Sequence, residues 1–441
     1  MSNIEDKSSL PACFASEKPS INIAVLGHEN SGKSSLIGQL LLSLGKVDDE
    51  YWDRIAQDCQ DADKDYTEPA WLCDTLEDER ERNCSTDITT RMVETEKYKL
   101  VLTDVPGRRE YVKSAIVGLC GADIALAVVS ATEEEFGENY KREGQLREHC
   151  YLAGFMGVKT LVVAINKMDL CGWSEQRFDD LDYELGRFVL RAGFHKDLVK
   201  RIPVSALQQE NITTAPENAS WYHGLTLIEA LENLPRRTMI ERRSSGKPLR
   251  VAIQVVRQVP SVGTVAYGMV ASGTLTLGMS VTVFPTGDTF EIYSLESFGE
   301  AIDEATPGMM VAFTPSDDSV ELRRGHVVSA AGDPAVGCKS FIASVISYHP
   351  GRIHNGYTPI VHCGTARVPC RIELLQRADM RTGRMFEEKP EELRRREGAL
   401  VRMVPTKPMY VGDPSLFRTL IIRDNGSTVG LGRLYKIEEF A

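Results

Sequence analysis

One stretch of this 441-residue chain decides its fold, the run Gly27-His28-Glu29-Asn30-Ser31-Gly32-Lys33-Ser34. It fits the pattern G-x-x-x-x-G-K-[ST], directly after an apolar run at 21–26 and at the start of a helical pattern that continues with Ser35. In such a loop the glycines let backbone N–H groups and the helix N-terminus face a phosphate. Lys33 reaches the β and γ oxygens, and the Ser34 hydroxyl is a ligand for Mg²⁺. The stretch predicts a phosphate-binding loop between a strand and a helix, with residues 27–35 lining the nucleotide.

Around this loop, short apolar runs alternate with helical patterns up to about residue 235. Runs such as KLVLTDV, ADIALAVVSA and TLVVAINKMD are separated by segments such as REYVKSAIVGL. Apolar strands separated by helices are typical of a parallel sheet covered on both faces. The sequence predicts an α/β P-loop domain with a doubly wound, mostly parallel sheet at 21–240, after an N-terminal tail at 1–20.

The pattern changes after a polar segment at 236–248, which we interpret as a linker. Short runs such as GTVAYGMV, MSVTVFP and FEIYSLESF follow, spaced by Gly, Pro, Asp and Thr. This spacing is typical of small antiparallel barrels. We expect two antiparallel β-barrel domains, one at 246–333 and one at 334–441.

Three further motifs, each at the end of an apolar run, indicate that the nucleotide is a guanine nucleotide. They are Asp104-Val105-Pro106-Gly107, Asn166-Lys167-Met168-Asp169 and Ser205-Ala206-Leu207. Asp104 can hold Mg²⁺ through water, and the Gly107 N–H can sense a γ-phosphate. Asp169 can accept both guanine N1–H and the 2-amino group, which adenine does not offer, while the stem of Lys167 covers the base. A backbone N–H of the third motif can bind guanine O6, so the expected ligands are GTP or GDP with Mg²⁺.

Composition argues against several other classes of protein. The net charge is −12, and only residues 341–441, with 16 Lys and Arg against 11 Asp and Glu, are basic; a general nucleic-acid binder is usually basic over a broad surface. No apolar run reaches about 18 residues, and the first twenty residues lack a signal-peptide layout. The ten cysteines form no CxxC pair, so free thiols are expected. We expect a soluble, cytoplasmic monomer that binds no membrane.

Several sequence segments, from about Ile21 to the end of the chain, resemble those of a known family. They are GHENSGKSS, DERERNCSTD, DVPGRREY, GQLREH and NKMD, then GTVAYGMVASGTLTLGMSVTVFP, HPGRIHNGYTPIVHCGTARVPC and VPTKPMYVGDPSLFRTLIIRDNGSTVGLGRL. Together they resemble the translational GTPases of the eukaryotic elongation factor 1-alpha group. That group also contains eukaryotic release factor 3 and the ribosome-rescue GTPase that partners Pelota. The resemblance implies a GTPase that delivers a tRNA or a tRNA-shaped protein to the ribosomal A site.

Different segments of the chain resemble different branches of this group. CGTARVPC and MVPTKPM look like the elongation factor, whereas GWSEQRF, RAGFHKD and NASWYHGLTLIEAL look like the release and rescue factors. The loop that in elongation factors carries a basic and an acidic residue around the aminoacylated tRNA end here reads Met269-Val270-Ala271-Ser272-Gly273. With a charge of −12 as well, we favour a carrier of a tRNA-mimicking release or rescue protein. The alternatives are an elongation factor 1-alpha-like carrier of aminoacyl-tRNA and a GTP-bound scaffold that does not hydrolyse GTP.

The chain departs from the family at residues implied to act in hydrolysis. The family places a His after D-x-P-G to position the attacking water, and Arg108 stands there instead. A protonated arginine has no acceptor to orient water, although it can stabilise phosphate charge. The two apolar residues that flank that His are replaced by Glu29 and Cys84. We expect Glu29 and Arg108 to form a partly buried ion pair beside the nucleotide, and hydrolysis to be slow. The alternative is that both side chains point into solvent, where a pair would be worth under about 1 kcal/mol.

At two other site positions that the resemblance implies, one residue keeps the family's functional group and one does not. Ser85 matches the family's switch threonine and retains the hydroxyl, so the implied metal ligands are Ser34, Ser85 and Asp104. Asn30 replaces the family's usual Asp, which argues against an auxiliary monovalent-cation site. We interpret His149 as a residue of a helix surface without a catalytic role.

Overall fold

A computed structural model describes residues 18–61, 68–74, 79–80, 85–139, 144–233, 246–260, 262–379 and 384–441. Most of the predicted tail at 1–20 and of the predicted linker at 236–248 lies outside the described residues. The predicted domain boundaries stay predictions. The fold class is confirmed: an α/β domain with the P-loop is followed by two antiparallel β domains.

The first domain is built on a six-stranded sheet in the order β2-β3-β1-β4-β5-β6, parallel except for the β2–β3 pair. Its strands are β1 Ser20–Leu26, β2 Thr89–Glu94, β3 Lys99–Asp104, β4 Ile124–Ser130, β5 Thr160–Asn166 and β6 Val199–Pro203. Its helices are α1 Lys33–Ser43, α2 Asp49–Asp61, α3 Val112–Leu119, α4 Glu133–Asn139, α5 Gln145–Phe155, α6 Glu175–Arg191 and α7 Leu227–Glu232. Short 3₁₀ turns lie at Glu68–Leu72, Arg109–Tyr111, Met168–Cys171 and Lys196–Leu198.

Successive residues of the central strands enter two different cores, one on each face of the sheet. Every residue of β4 and β5 is buried. In β5, Val163 packs in the core that includes α3, α5 and α6, whereas Val162 packs in the core that includes α1 and α7. This alternation follows from the two-residue period of a strand, and burial on both faces explains the continuous apolar runs.

The second domain is a barrel of six strands, β10-β15-β7-β8-β14-β11, which closes because β10 also pairs with β11. Its strands are β7 Arg250–Val259, β8 Gly263–Ser272, β9 Leu275–Thr276, β10 Ser280–Phe284, β11 Thr289–Ser297, β12 Glu300–Ala301, β13 Glu304–Ala305, β14 Met310–Pro315 and β15 Val327–Ala330. Closure pairs the backbone groups that an open sheet would leave at its edges.

The third domain repeats this plan in the order β18-β23-β24-β16-β22-β19, closed by the β18–β19 pair. Its strands are β16 Cys338–Ser347, β17 Ile353–His354, β18 Ile360–Cys363, β19 Ala366–Ala378, β20 Met385–Glu388, β21 Glu392–Leu393, β22 Gly398–Pro405, β23 Thr419–Asp424 and β24 Ser427–Phe440, with a 3₁₀ turn at Ser415–Arg418.

Both barrels dock on the first domain. The Asn22 side chain donates to the Gly308 carbonyl of the second domain at 2.8 Å. In the third domain, the nearly buried Arg423 donates to the Glu148 carboxylate of α5 at 2.9 Å. Among the described residues, no helix is both long and apolar enough to cross a membrane.

Candidate nucleotide site

The predicted P-loop follows β1 and leads into α1. Gly32 has φ 88°, a left-handed conformation that favours glycine, and a Cβ there would lie 2.3 Å from the amide nitrogen of Asn166. The ammonium of Lys33 donates to the His28 carbonyl at 2.7 Å, and the Ser31 hydroxyl donates to the same carbonyl at 2.9 Å. Lys33 is therefore folded into the concave side of the loop, where a phosphate can exchange for the carbonyl.

The three predicted metal-binding residues lie together at the start of α1. The Ser34 hydroxyl donates to Asp104 Oδ2 at 2.6 Å, and the Ser34 and Ser85 hydroxyl oxygens are 3.2 Å apart. The other oxygen of Asp104 is buried and has no hydrogen-bond partner among the described residues. Burial raises the pKa of Asp104 to about 7, so a cation beside it would favour the carboxylate form.

The oxygen donors suit Mg²⁺, which is usually held by one or two carboxylates plus substrate phosphates. In the part of the chain that the structure describes, no group of three or more His, Cys, Asp and Glu side chains forms a metal site by itself. A metal ion at Ser34, Ser85 and Asp104 would be completed by further oxygen ligands, such as those of a nucleotide.

Two buried carboxylates beside this cluster were missed by sequence reasoning. Asp74 accepts a hydrogen bond from the Ser85 hydroxyl at 2.8 Å. Glu79 accepts from the backbone N–H of Thr86 at 2.8 Å and of Asp87 at 3.3 Å. Glu79 lies within the phrase DERERNCSTD, but nothing in its spacing shows that it shapes the loop that carries Ser85.

The predicted ion pair between Glu29 and Arg108 is confirmed: the Arg108 guanidinium bonds the Glu29 carboxylate. Their side chains are 36% and 41% exposed, so the pair faces solvent at the rim of the site. Gly107 lies against the P-loop, where a Cβ would stand 2.5 Å from the Glu29 nitrogen and 2.7 Å from the Lys33 ammonium. Cys84, the other predicted departure at this place, lies outside the described residues.

The two motifs predicted to bind guanine are joined by Asn166, which is 2% exposed. Its amide nitrogen donates to the Ser31 carbonyl of the P-loop at 3.0 Å, and its oxygen accepts the Ala206 backbone N–H at 3.0 Å. One side chain thus sets the distance between the phosphate loop and the segment 205–207.

Beyond Asn166, the chain turns sharply through Lys167, which has φ 64°. Met168 is buried, whereas Asp169 and Lys167 are half-buried and Leu207 is exposed. The Lys167 ammonium bonds both oxygens of Glu135 on α4, at 2.7 and 2.8 Å. Sequence reasoning missed this partner, since Glu135 lies in an acidic run that reads as a solvated helix face.

The interpretation of His149 as a helix-surface residue is wrong. His149 is 0% exposed, and among the described residues neither ring nitrogen has a hydrogen-bond partner. Burial lowers the pKa of its imidazole to about 4, and the charge of Lys33 acts in the same direction. The preceding residue of α5, Glu148, accepts a hydrogen bond from Arg423 of the third domain.

A groove of about 530 Å³ lies between β2 of the first domain and the second-domain barrel. Its lining includes Arg91, Arg257, Tyr267, Glu296 and Phe298. The aromatic rings are about one-third exposed and offer faces on which a flat ligand can stack.

Fold and site together define a P-loop GTPase with two β-barrel domains. The family model described as Elongation factor Tu GTP binding domain matches residues 18–242, Elongation factor Tu domain 2 matches 263–329, and GTP-eEF1A C-terminal domain-like matches 340–435. The chain belongs to the translational GTPases of the elongation factor 1-alpha and release factor 3 group.

The relatives extend over nearly the whole chain. Identity to elongation factor 1-alpha of Blastobotrys adeninivorans is 37% over 443 residues, covering 96% of this chain and 95% of that one. Identity to elongation factor 1-alpha of Ignicoccus hospitalis is 39% over 424 residues, covering 94% and 96%. The Ski7 GTPase-like domain of S. cerevisiae, bound to GDP and inorganic phosphate, has the same fold, with a TM-score of 0.79 at 15% identity over 95% of this chain and 97% of that one.

Proposed function

We propose that the chain binds GTP with Mg²⁺ in the cytoplasm and, as a monomer, carries a tRNA-mimicking release or rescue protein to the ribosomal A site. Hydrolysis of GTP would be slow and would end the delivery. The family supports a translational GTPase in general. The cargo, the metal and the slow rate are our proposals.

The position of Met269 is the observation that favours a protein cargo over aminoacyl-tRNA. In elongation factors this loop carries charged residues around the aminoacylated end of tRNA. Here Met269 is 4% exposed, its sulfur is 4.0 Å from the Asn22 amide nitrogen, and a Cβ at Gly121 would meet that sulfur. Met269 is predicted from the sequence to lie in a loop, but the structure places it in strand β8, where it packs on the first domain. Residues 269–273 carry no charged side chain to offer a tRNA, which favours a protein cargo.

Within the nucleotide site, the P-loop N–H groups and Lys33 would hold the phosphates, and Asp169 would read the base. Ser34, Ser85 and Asp104 would hold Mg²⁺, which supplies positive charge between the β- and γ-phosphates when bound. Gly107 would report the γ-phosphate from its position against the loop. Arg108 has no acceptor with which to orient a water molecule, which supports slow hydrolysis.

A binding experiment with purified components tests the cargo. The chain loaded with a non-hydrolysable GTP analogue is mixed with a purified tRNA-mimicking release or rescue protein, and binding is measured by calorimetry. We expect tight binding with the analogue, weaker binding with GDP, and loss of the nucleotide dependence in Lys33→Ala. Co-sedimentation with ribosomes then tests delivery; a GTP-bound chain that binds neither ribosomes nor this protein would instead be a scaffold.

A second candidate, delivery of aminoacyl-tRNA, is favoured by the groove between the first and second domains. Tyr267 and Phe298 can stack on unpaired bases, and Arg257 can contact a phosphate. Protection of aminoacyl-tRNA from spontaneous deacylation in the GTP state distinguishes the two candidates. Such protection would contradict the protein-cargo proposal.

A further inference from the structure

The backbone of Arg108 lies beside the position that a γ-phosphate would occupy. The preceding residue, Gly107, is so close to the P-loop that a Cβ on it would lie 2.7 Å from the Lys33 ammonium. That ammonium is the group expected on the β and γ oxygens. The long arginine side chain leaves the backbone one residue further on, within reach of the same oxygens.

On the other side of Arg108, the side chain of Arg109 reaches the third domain. Arg109 donates to the Ser427 hydroxyl at the turn between β23 and β24 of the third domain. Close by, Glu148 of α5 accepts from Arg423 at 2.9 Å and from the Thr428 hydroxyl at 2.7 Å. The Arg108 side chain therefore leaves a segment that lies against the P-loop at Gly107 and contacts the third domain through the side chain of Arg109.

In the structure, Glu29 holds that side chain. The pair is more than one-third exposed, and exposed ion pairs are weak because water and salt screen them. The ion pair itself is therefore worth about 1 kcal/mol at most. An arginine placed on a transferring phosphoryl group, by contrast, accelerates hydrolysis by about 10³- to 10⁵-fold.

We propose that Arg108 is a catalytic residue supplied within the chain, and that Glu29 acts as its gate by holding the guanidinium off the γ-phosphate. This rests on the GTP binding proposed above. In the open state the water oxygen forms a bond to Pγ, and the bond from Pγ to the β–γ bridging oxygen breaks with its electron pair left on GDP. Both protons of the water leave with inorganic phosphate, as H₂PO₄⁻. Arg108 neither takes nor gives a proton; it stabilises the charge on the equatorial and bridging oxygens.

Single-turnover hydrolysis of GTP by the full chain tests the gate. Glu29→Gln keeps the shape of the side chain and removes its charge, so we expect hydrolysis about two- to fivefold faster than in the wild type, the most that an exposed ion pair of about 1 kcal/mol can hold back. Arg108→Ala should not be faster than the wild type, and Glu29→Gln with Arg108→Ala should lose the gain. The control Glu217→Gln, the same change at an exposed residue elsewhere in the first domain, should leave the rate unchanged.

A second readout does not depend on turnover. GDP with aluminium fluoride mimics the transferring phosphoryl group, so its affinity should rise in Glu29→Gln only when Arg108 is present. Hydrolysis that is unchanged or slower in Glu29→Gln, or an acceleration that persists in the double variant, would overturn the gate. If every variant binds GTP with the same affinity and the rates show no coupling, only this inference fails; if the wild type binds no GTP, the proposed function fails with it.

Discussion

Asn166 donates a hydrogen bond from its side-chain amide to the carbonyl of Ser31, at 3.0 Å, and so ties the end of β5 to the phosphate loop. The same side chain accepts the Ala206 backbone N–H. We expect Asn166→Ala to weaken GTP and GDP binding about 10- to 100-fold, because a buried N–H left unpaired costs about 1–3 kcal/mol. Fluorescence titration with labelled nucleotides measures the effect. The nearby Asn218→Ala, at an exposed residue, should bind like the wild type; equal affinity in Asn166→Ala would contradict the role of the bridge.

The choice of base is expected to depend on Asp169. In Asp169→Asn the amide would present a donor to the guanine 2-amino group, whereas xanthine carries an acceptor there. We therefore expect weaker GTP binding and a preference for xanthosine triphosphate in a competition titration. Equal affinity of the wild type for ATP and GTP would refute the assignment.

The second domain contacts the segment that follows Ser85 through one ion pair. Arg324 donates to Asp87 at 2.9 Å and to the Gln254 carbonyl at 2.6 Å, and the Arg324 guanidinium lowers the pKa of Asp87 against the opposing effect of burial. Both side chains are about one-third exposed or more, so Arg324→Ala should cost about 1 kcal/mol of domain docking at most. Hydrogen exchange in β2 should become faster.

The neighbouring Arg323 gives a matched control for this contact. It pairs only with Glu321 of its own domain among the contacts described, so Arg323→Ala should leave exchange in β2 unchanged. Equal exchange in both variants would mean that Arg324 does not hold the two domains together.

Acid should destabilise the folded chain through His149. Burial lowers the pKa of the folded imidazole to about 4, whereas an unfolded histidine takes up a proton near pH 6.5. Protons therefore bind the unfolded state first, and stability is lost as the pH falls from about 6.5 towards 4, by up to about 3 kcal/mol.

Urea unfolding at several pH values between 7.5 and 4.5 checks this sign. His149→Gln should flatten the loss of stability, while His195→Gln, at an exposed residue, should keep the wild-type slope. An equal pH dependence of stability in the wild type and in His149→Gln would contradict the prediction; the opposing effect of Asp104, whose pKa burial raises to about 7, is present in both.

The sequence alone predicted the fold class, the loop between β1 and α1, and the grouping of Ser34, Ser85 and Asp104, whose binding of a metal stays a prediction. Each of these features depends on local pattern: a loop between strand and helix, or a polar motif at a strand end. Because parallel strands present their carboxyl ends at one edge of the sheet, Asp104 and Asn166 had to lie near Gly32. The ion pair of Glu29 and Arg108 was predictable for the same reason, since both residues adjoin positions that face one phosphate.

Only the tertiary structure decided which distant residues complete the site. Asp74, Glu79 and Glu135 approach it through loops and helix faces that no periodic pattern assigns. His149 is buried next to Glu148, which pairs with Arg423 of the third domain, and Met269 is buried where the second domain docks near Asn22. Such contacts join residues far apart in the chain, so they depend on the packing of whole domains, whereas the chemistry of a motif depends on neighbours a few residues away.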